Sequence, residues 1–329
     1  VFEGFEQQWT PVEIARRLRR GRVLRVRVAG EDVALVRDRR GVVGALIDRC
    51  PHRGAALSLG CVTEHGLECP FHGWTFAHDG ACTRVPMTPL DDAKRARLSA
   101  TALPTREVGG LIWVFTGTDA RHTEPEPAPA LIEPGWVAWH YVETWNAHWT
   151  RAMENMLDVP HLPYVHRRTI GRGLRKPALG DSELVCRAVP EPYGMSVEAT
   201  LDGQPVVAGL EWRRPNGMVL HLTFGTRRVR QHVFCVPVDE AHTRMFIVSL
   251  RDFGRYNPLL RIFDRFNARI LGEDRAVVES IRPLEVPAAQ DEKSVASDAP
   301  TLYFRRYYHR ELRGPRPDVA PEALTRKSA

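Results

Sequence analysis

Residues 154–166, ENMLDVPHLPYVH, bring Asp158, His161 and His166 close together and interrupt them with Pro160 and Pro163. On an unbroken helix turning about 100° per residue, Asp158 and His161 would share a face and His166 would point about 140° away from His161. The helix cannot be unbroken. Pro160 lacks an amide hydrogen and crowds the carbonyl four residues back, and Pro163 biases Leu162 out of the helical region. A bend between the imidazoles lets both converge on one point, as a metal site requires. Two histidines in a bend serve equally well as a solvated or core hydrogen-bonding pair, so the segment needs support from elsewhere in the chain.

Six cysteines fall at 50, 61, 69, 82, 186 and 235. In a reducing compartment they read as ligands or buried thiols, not as a disulfide framework. CPHRG, from Cys50, and CPFHGW, from Cys69, spell C-x-H and C-x-x-H with sixteen residues between them. Each segment offers one thiolate and one imidazole from a tight loop, with proline after the cysteine and glycine soon after the histidine. Zinc accepts such a Cys2His2 set. Zinc fingers, however, pair cysteine with cysteine and histidine with histidine, whereas both loops here are mixed. Mixed loops suit a [2Fe-2S] cluster in which Cys50 and Cys69 hold one iron and His52 and His72 the other. On these residues the chain resembles the Rieske family. Respiratory-chain members carry one further cysteine in each loop; Ala55 and Phe71 stand there instead. That departure points to the low-potential ferredoxin and oxygenase branch, where the cluster relays single electrons. Cys61 and Cys82 are expected to be packing residues.

A one-electron relay needs a destination. Two histidines lack one member of the 2-His-1-carboxylate triad of non-haem Fe(II) sites. Asp274 has Ile270, Leu271, Val277, Val278 and Ile281 around it at helical spacing, inside an apolar stripe. A bare carboxylate there is costly unless it meets a cation. Glu279, flanked by Arg275 and Arg282, reads as a surface ion pair, and Glu273 is the adjacent competitor for the third ligand position.

Taken together, E-N-x-x-D-x-x-H-x4-H, a Rieske box about ninety residues earlier and GEDRAVVES about a hundred residues later resemble the α subunits of Rieske non-haem iron oxygenases over nearly the whole chain. The resemblance implies His161, His166 and Asp274 as iron ligands, Asn155 near the iron, and Asp158 as a bridging acid. In the family that acid links an iron-ligand histidine, here His161, to a cluster histidine of the neighbouring subunit, here His72, across a head-to-tail homotrimer. One carboxylate then accepts from both metal-bound imidazoles. The three-residue spacing of Asn155 and Asp158, with the compact length, resembles the monooxygenase or demethylase-like branch more than ring dioxygenases with small β subunits.

The elements that must position these residues divide in two. RVLRVRVAG, EDVALVRD, GVVGALID, GWTFAHDG and GLIWVFTG are short and β-branched, and predict an antiparallel β domain ending near Gly117. RHTEPEPAPALIEPGW predicts an extended linker. Beyond it, WNAHWTRAMENMLDV and PLLRIFDRFNARILGEDRAVVESI predict helices, and MVLHLTFGT, RQHVFCVPV and RMFIVSL predict strands. The expected organisation is α+β: a Rieske domain over 1–118, a proline-rich linker over 119–136, and over 137–329 a catalytic domain with a central antiparallel sheet flanked by helices. The tail from Pro315 is expected to be loosely held.

Composition narrows the class. The 329 residues suffice for two domains. No apolar run spans a bilayer and the N-terminus lacks the order of a secretion signal, so a cytoplasmic location is expected. The formal charge of +6 is almost wholly arginine, since only Lys94, Lys176, Lys293 and Lys327 are lysines. RRLRRGRVLRVRV, from Arg16, reads as a solvated helix end followed by a strand, with an acidic partner's docking face as the other reading. No nucleic-acid motif is present.

The resemblance implies the oxygenase component of a multicomponent system. O2 and electrons from NAD(P)H, delivered by a separate reductase with or without a ferredoxin, would hydroxylate or oxidatively dealkylate a small organic substrate. A ring cis-dihydroxylating dioxygenase is the nearest alternative; a Rieske electron carrier or hydrophobic-ligand binding protein with an inactive iron site is the alternative of another class. HRRTIGRGLRKPALG, from His166 to Gly180, shows no helical or strand periodicity and predicts a mobile loop over the site. Its Arg167, Arg168, Arg172, Arg175 and Lys176 read as solvated lid charges or an electron-partner dock, with anionic-substrate recognition as the competing reading. Leu220, Leu222, Phe224, Val233 and Cys235 would make an apolar wall, and hence call for a bulky, mostly apolar substrate, if their face is the inner one.

Overall fold

The computed structural model describes residues 2, 4–117, 119–120, 123–125, 133–254 and 261–313. The tail from Pro315 and most of the proline-rich segment lie outside the described residues. The N-terminal half is built from three small antiparallel sheets. One joins Trp9–Ile14, Leu111–Phe115 and Thr105–Val108; a second joins Arg22–Val28, Glu31–Arg37, Val43–Ile47 and Ala102–Leu103. The third, Cys61–Thr63, Gly66–Glu68, Thr75–Phe76 and Cys82–Arg84, carries the Cys69 loop as the tip of a hairpin in which Glu68 faces Thr75. The basic stretch from Arg16 holds only a single 3-10 turn, Ala15–Arg17, before its strand, and Ile14, Ala15 and Leu18 are buried.

The C-terminal half is organised by a seven-stranded antiparallel sheet in the order Val137–Trp145, Thr243–Arg251, Arg227–Pro237, Gly217–Phe224, Gln204–Arg213, Gly194–Leu201, Leu184–Glu191. Both faces of its centre are buried. Because side chains alternate along a strand, Ile247 and its cross-strand neighbours Tyr141 and Val233 point to one face, while Phe246 and its neighbours Val142 and Phe234 point to the other. The first face packs under the helices with Trp149, Met153 and Phe304. The second packs on the N-terminal half, with Val12, Ile14, Leu35 and Trp113 in the same apolar cluster.

Three helices cover the first face. Trp149–Leu157 buries Trp149, Ala152, Met153, Met156 and Leu157, the i, i+3, i+4, i+7, i+8 stripe of an amphipathic helix. Arg261–Val278 runs alongside Val137–Trp145: its Asn267 bonds Ser249, the cross-strand partner of Trp139, and the Glu279 carboxylate just past its end accepts from the Asn146 amide. Ala299–Tyr307, which sequence patterning did not single out, sets Phe304 edge-on to both Trp149 and Trp212. Arg151 and Arg305 are buried, and with Glu154 and Glu292 they close a ring of alternating charges. Arg151 contacts Glu154 at 3.1 Å and Glu292 at 2.7 Å; Arg305 contacts Glu292 at 2.7 Å and also pairs with Glu154. The ring fastens Trp149–Leu157 to Ala299–Tyr307.

Since Phe246 belongs to the core shared by both halves, Phe246→Ala should cost about 3–5 kcal/mol. Urea unfolding followed by far-UV circular dichroism and by tryptophan fluorescence should shift to one lower midpoint. Two separated midpoints in the wild-type protein would show that the halves do not share a core.

Candidate metal centres

The two cysteine–histidine loops fold alike. The Cys50 amide donates to the Ala55 carbonyl and the Gly54 amide returns to the Cys50 carbonyl; likewise Cys69 donates to Trp74 and Gly73 returns to Cys69. Gly54 and Gly73 sit at φ +73° and +69°, where a Cβ is strained, which explains the glycine four places after each cysteine. The loops face each other with both thiols buried and the His52 and His72 ring centroids 4.6 Å apart. His52 also stacks on Trp74 at 4.4 Å with the planes 3° apart, and its Nδ1 is buried without a partner among the described residues. Burial, reinforced by the neighbouring Cys69, pushes the Cys50 thiol up to about 11. Two adjacent buried thiols, one of them resisting ionisation, and an orphaned imidazole nitrogen are what a cationic cluster would resolve. Cys82 is buried, as expected; Cys61 is exposed at the start of its strand and is not a packing residue.

In the second centre, helix Trp149–Leu157 stops at Asp158, whose extended backbone (φ −82°, ψ 133°) turns the chain, and a short helix Leu162–Val165 begins after His161. The bend lies between the imidazoles, but Leu162 is helical after all. Pro163 falls in the first turn of the new helix, where its missing amide hydrogen costs nothing. Asp158 Oδ2 accepts from the His161 amide at 3.0 Å and contacts His161 Nδ1 at 3.1 Å, so one carboxylate holds both the turn and the ring.

The structure brings His161, His166 and Asp274 together: one donor atom from each lies within 4.8 Å of the others. Asp274 Oδ1 is 3.0 Å from His166 Nε2 and 3.4 Å from His161 Nε2, yet it makes no directed hydrogen bond. The buried stripe of Arg261–Val278 is narrower than its apolar pattern suggested: Leu271, Asp274 and Val278 are buried whereas Val277 is 43 % exposed. Glu273, the competitor, lies on the other side of His166, taking Nδ1 at 3.0 Å and the Thr169 hydroxyl at 2.7 Å. Each imidazole therefore has a carboxylate at Nδ1 and turns Nε2 toward Asp274. Sequence reasoning missed the orienting role of Glu273; its position one residue from an inward carboxylate was the available signal.

Burial opposes the charged form of His161, but Asp158 and Asp274 outweigh it and carry it up to about 9. His166 is raised in the same way, against burial, chiefly by Asp274 with help from Glu273. Burial would raise Asp274, yet the two imidazoles hold it below the usual carboxylate range. A divalent cation would replace the protons between these groups. Asn155 is half-buried one turn before Asp158, with its Nδ2 buried and unpartnered among the described residues.

The segment from His166 to Gly180 is not without order. It contains a 3-10 turn, Arg172–Leu174, and a short helix, Arg175–Ala178, pinned by Tyr164 donating to the Ala178 carbonyl at 3.1 Å. Periodicity could not show turns this short. Arg167, Arg168, Arg172 and Lys176 are exposed. Of the expected wall, Val233 and Cys235 are buried in the helix-covered core and Leu220 packs against it, whereas Phe224 is 58 % exposed near the strand's end. No helix among the described residues is long and apolar enough to cross a membrane.

Comparison with known proteins finds matches to both halves of the chain. A Rieske [2Fe-2S] domain model matches residues 8–94, and a vanillate O-demethylase oxygenase C-terminal domain model matches residues 145–313. The 4beta-methylsterol monooxygenase of Methylococcus capsulatus is 35 % identical over 267 residues, covering 74 % of this chain and 67 % of that protein. Chlorophyllide a oxygenase of Chlamydomonas reinhardtii is 31 % identical over 84 % of this chain, which spans 44 % of that protein's length. Among solved structures, NdmA of Pseudomonas putida CBB5 superposes with a TM-score of 0.76 at 26 % identity, covering 92 % of this chain and 89 % of that one.

If Glu273 orients His166, Glu273→Gln should lower affinity for Fe(II), or for Co(II) as a probe, by about 10–100-fold, while Asp274→Ala abolishes it. Calorimetric titration of the two variants against wild type measures both. Unchanged affinity in Glu273→Gln would remove the orienting role.

Proposed function

The chain belongs to the Rieske non-haem iron oxygenases, and on that premise we propose that it is the oxygenase component of a multicomponent system that hydroxylates or oxidatively demethylates a bulky, mostly apolar ring compound. The observation that carries this reading is the convergence of His161, His166 and Asp274. When bound, a [2Fe-2S] cluster on Cys50, Cys69, His52 and His72 and a mononuclear iron on His161, His166 and Asp274 supply electron transfer and dioxygen activation. Asp158 and Glu273 keep the Nδ1 proton of each imidazole, so that both Nε2 atoms present lone pairs to the metal position. Buried neighbours of Asp274, Leu271 and Val278, keep water away from that carboxylate. Asn155, one turn before Asp158, would donate its unpartnered Nδ2 to a water or ligand near the iron.

We further propose a head-to-tail homotrimer in which Asp158 reaches the partner subunit's His72. Two features support it. Asp158 spends only Oδ2 on its own chain's contacts to His161. His52 and His72 open into a concavity of about 600 Å³ rimmed by Phe71, Val85, Pro86, Met87 and Leu98, with Phe71 59 % and Met87 100 % exposed. Apolar side chains around a cluster edge fit a protein interface better than open water. Electrons would come from NAD(P)H through a separate reductase. Domain limits of 1–118 and 137–329, with the stretch between as linker, fit this division of labour; Arg106 and Trp9 hold Glu124 and Thr123 against the cluster half.

Reconstituted protein should contain about three irons per chain, two of them in the cluster. Cys69→Ser should lose the rhombic paramagnetic resonance signal of the reduced cluster, and Asp274→Ala should keep that signal but lose turnover and one iron. Wild-type turnover by Asp274→Ala would overturn the triad. With labelled O2, one labelled atom in the hydroxylated product fits hydroxylation, and label in the released formaldehyde with none in the parent product fits demethylation; two in the ring product would establish ring dihydroxylation instead.

A further inference from the structure

The arginines that follow Ala15 take no part in either metal centre, yet the fold arranges them with care. Arg37, its side chain 12 % exposed, bolts two tight turns together. Its guanidinium donates to the Leu18 carbonyl at 2.7 Å and the Ala15 carbonyl at 3.2 Å in one turn, and to the Gly41 carbonyl at 3.1 Å in the other. Gly21 and Gly41 close these turns at φ +70° and +103°, and a side chain on Gly41 would press on Arg20. The turns and the strand start that follows the first carry Arg16, Arg19, Arg20, Arg22, Arg39 and Arg40, all exposed.

The acids at this end of the sheet are spent on the fold. Glu107 pairs with Arg37 at 2.7 Å, and Asp38 accepts from the Gly41 and Val42 amides at 2.7 and 2.8 Å. Glu13 is buried, accepting from the Ile14 amide and from Arg244, with Arg17 at 3.6 Å. The six exposed arginines have no ion pair among the described residues. Like charges on adjoining turns repel one another unless an anion meets them. Arg16, Arg19 and Arg20 also rim a concavity of about 530 Å³ beside Ile14 and Leu18, a seat for a phosphate-sized group.

Position narrows the partner. Strand Val43–Ile47 runs from the Asp38–Gly41 turn toward the Cys50 loop, five residues at about 3.3 Å each, and Arg39 and Arg40 stand beyond its far end. The patch is therefore at the opposite end of the cluster half from His52 and His72, and a redox protein seated there would be remote from the cluster. No aromatic or amide side chain interleaves the arginines in Arg16–Arg22 or Arg39–Val42 to stack or read bases, so nucleic acid is poorly matched. Val42, 43 % exposed two places after Arg40, sets an apolar side chain among the charges, as at a bilayer interface. We propose that this arginine-bearing end is a docking face for an anionic bilayer surface, on which the protein meets a substrate dissolved in the lipid. The choice of lipid leans on the apolar substrate of the proposed function; the charge imbalance stands without it.

Cosedimentation of the full, cluster-loaded chain with phosphatidylcholine vesicles, with and without about 30 % phosphatidylglycerol, tests it. Wild type should pellet with the anionic vesicles alone, and pelleting should fall steeply as salt rises from about 0.05 to about 0.3 M. Each arginine at an anionic bilayer is worth about fivefold in partitioning, so Arg19→Gln/Arg20→Gln and Arg39→Gln/Arg40→Gln should each lose about 25-fold. Arg172→Gln/Lys176→Gln, which removes the same charge from exposed residues of the other half, should pellet nearly as wild type does. Asp274→Ala should lose turnover yet pellet unchanged, which keeps failure of the iron reading apart from failure of this one. Equal pelleting with both vesicle types, none with either, or undiminished pelleting of both arginine pairs would overturn the proposal. So would retention on immobilised poly-L-glutamate without vesicle binding, which would assign the face to an acidic protein.

Discussion

A carboxylate inside an apolar helix stripe must be met by positive charge, and most of the C-terminal half can be read as the answer to that requirement. Asp274 lies between Leu271 and Val278 with almost no solvent. The groups that meet it come from a segment about a hundred residues away in sequence, and one straight helix could not deliver both imidazoles. The stop at Asp158, the turn through Pro160 and the restart at Leu162 are what turn His161 and His166 toward one oxygen. Around that point the arrangement repeats itself: a carboxylate at each Nδ1 keeps each ring from rotating away.

Holding those helices over a sheet while keeping the cluster half attached requires a sheet that is apolar on both sides. Period-two alternation supplies this at low cost in sequence, since adjacent residues such as Phe246 and Ile247 serve different cores. Each half is therefore covered by the other, and this packing places the segments that carry the candidate ligands relative to the sheet.

The chemistry was legible in the sequence because it is local. Cysteine followed by proline, with glycine four places after it, describes a tight loop from φ/ψ restrictions, and Pro160 foretold the bend before His161, although Pro163 did not keep Leu162 out of a helix. The burial of Asp274 was legible from helical spacing. What escaped is relational. Glu273 and Asp274 differ by one residue, about 100° of helix rotation, and only the packed helix shows that one faces both Nε2 atoms while the other reaches a single Nδ1. The strands Leu184–Glu191, Gly194–Leu201 and Gln204–Arg213 carry Arg187, Glu198 and Glu211 among their apolar residues, which blurs the strand signal. The helix Ala299–Tyr307 owes its position to Phe304 meeting two distant tryptophans. The turns between His166 and Gly180 are too short for any period to register.

The ring of Arg151, Glu154, Glu292 and Arg305 gives this scaffold a particular response to heat. Apolar burial stops strengthening as water warms, whereas the hydration that opposes bringing charges together grows weaker. A clamp made of two buried guanidinium groups and two partly buried carboxylates beside the helix that leads to Asp158 therefore loses less of its grip on warming than the surrounding aromatic contacts. The turn that presents His161 follows directly from the clamped helix, so warming loosens its attachment less than it would a turn held by apolar contact alone.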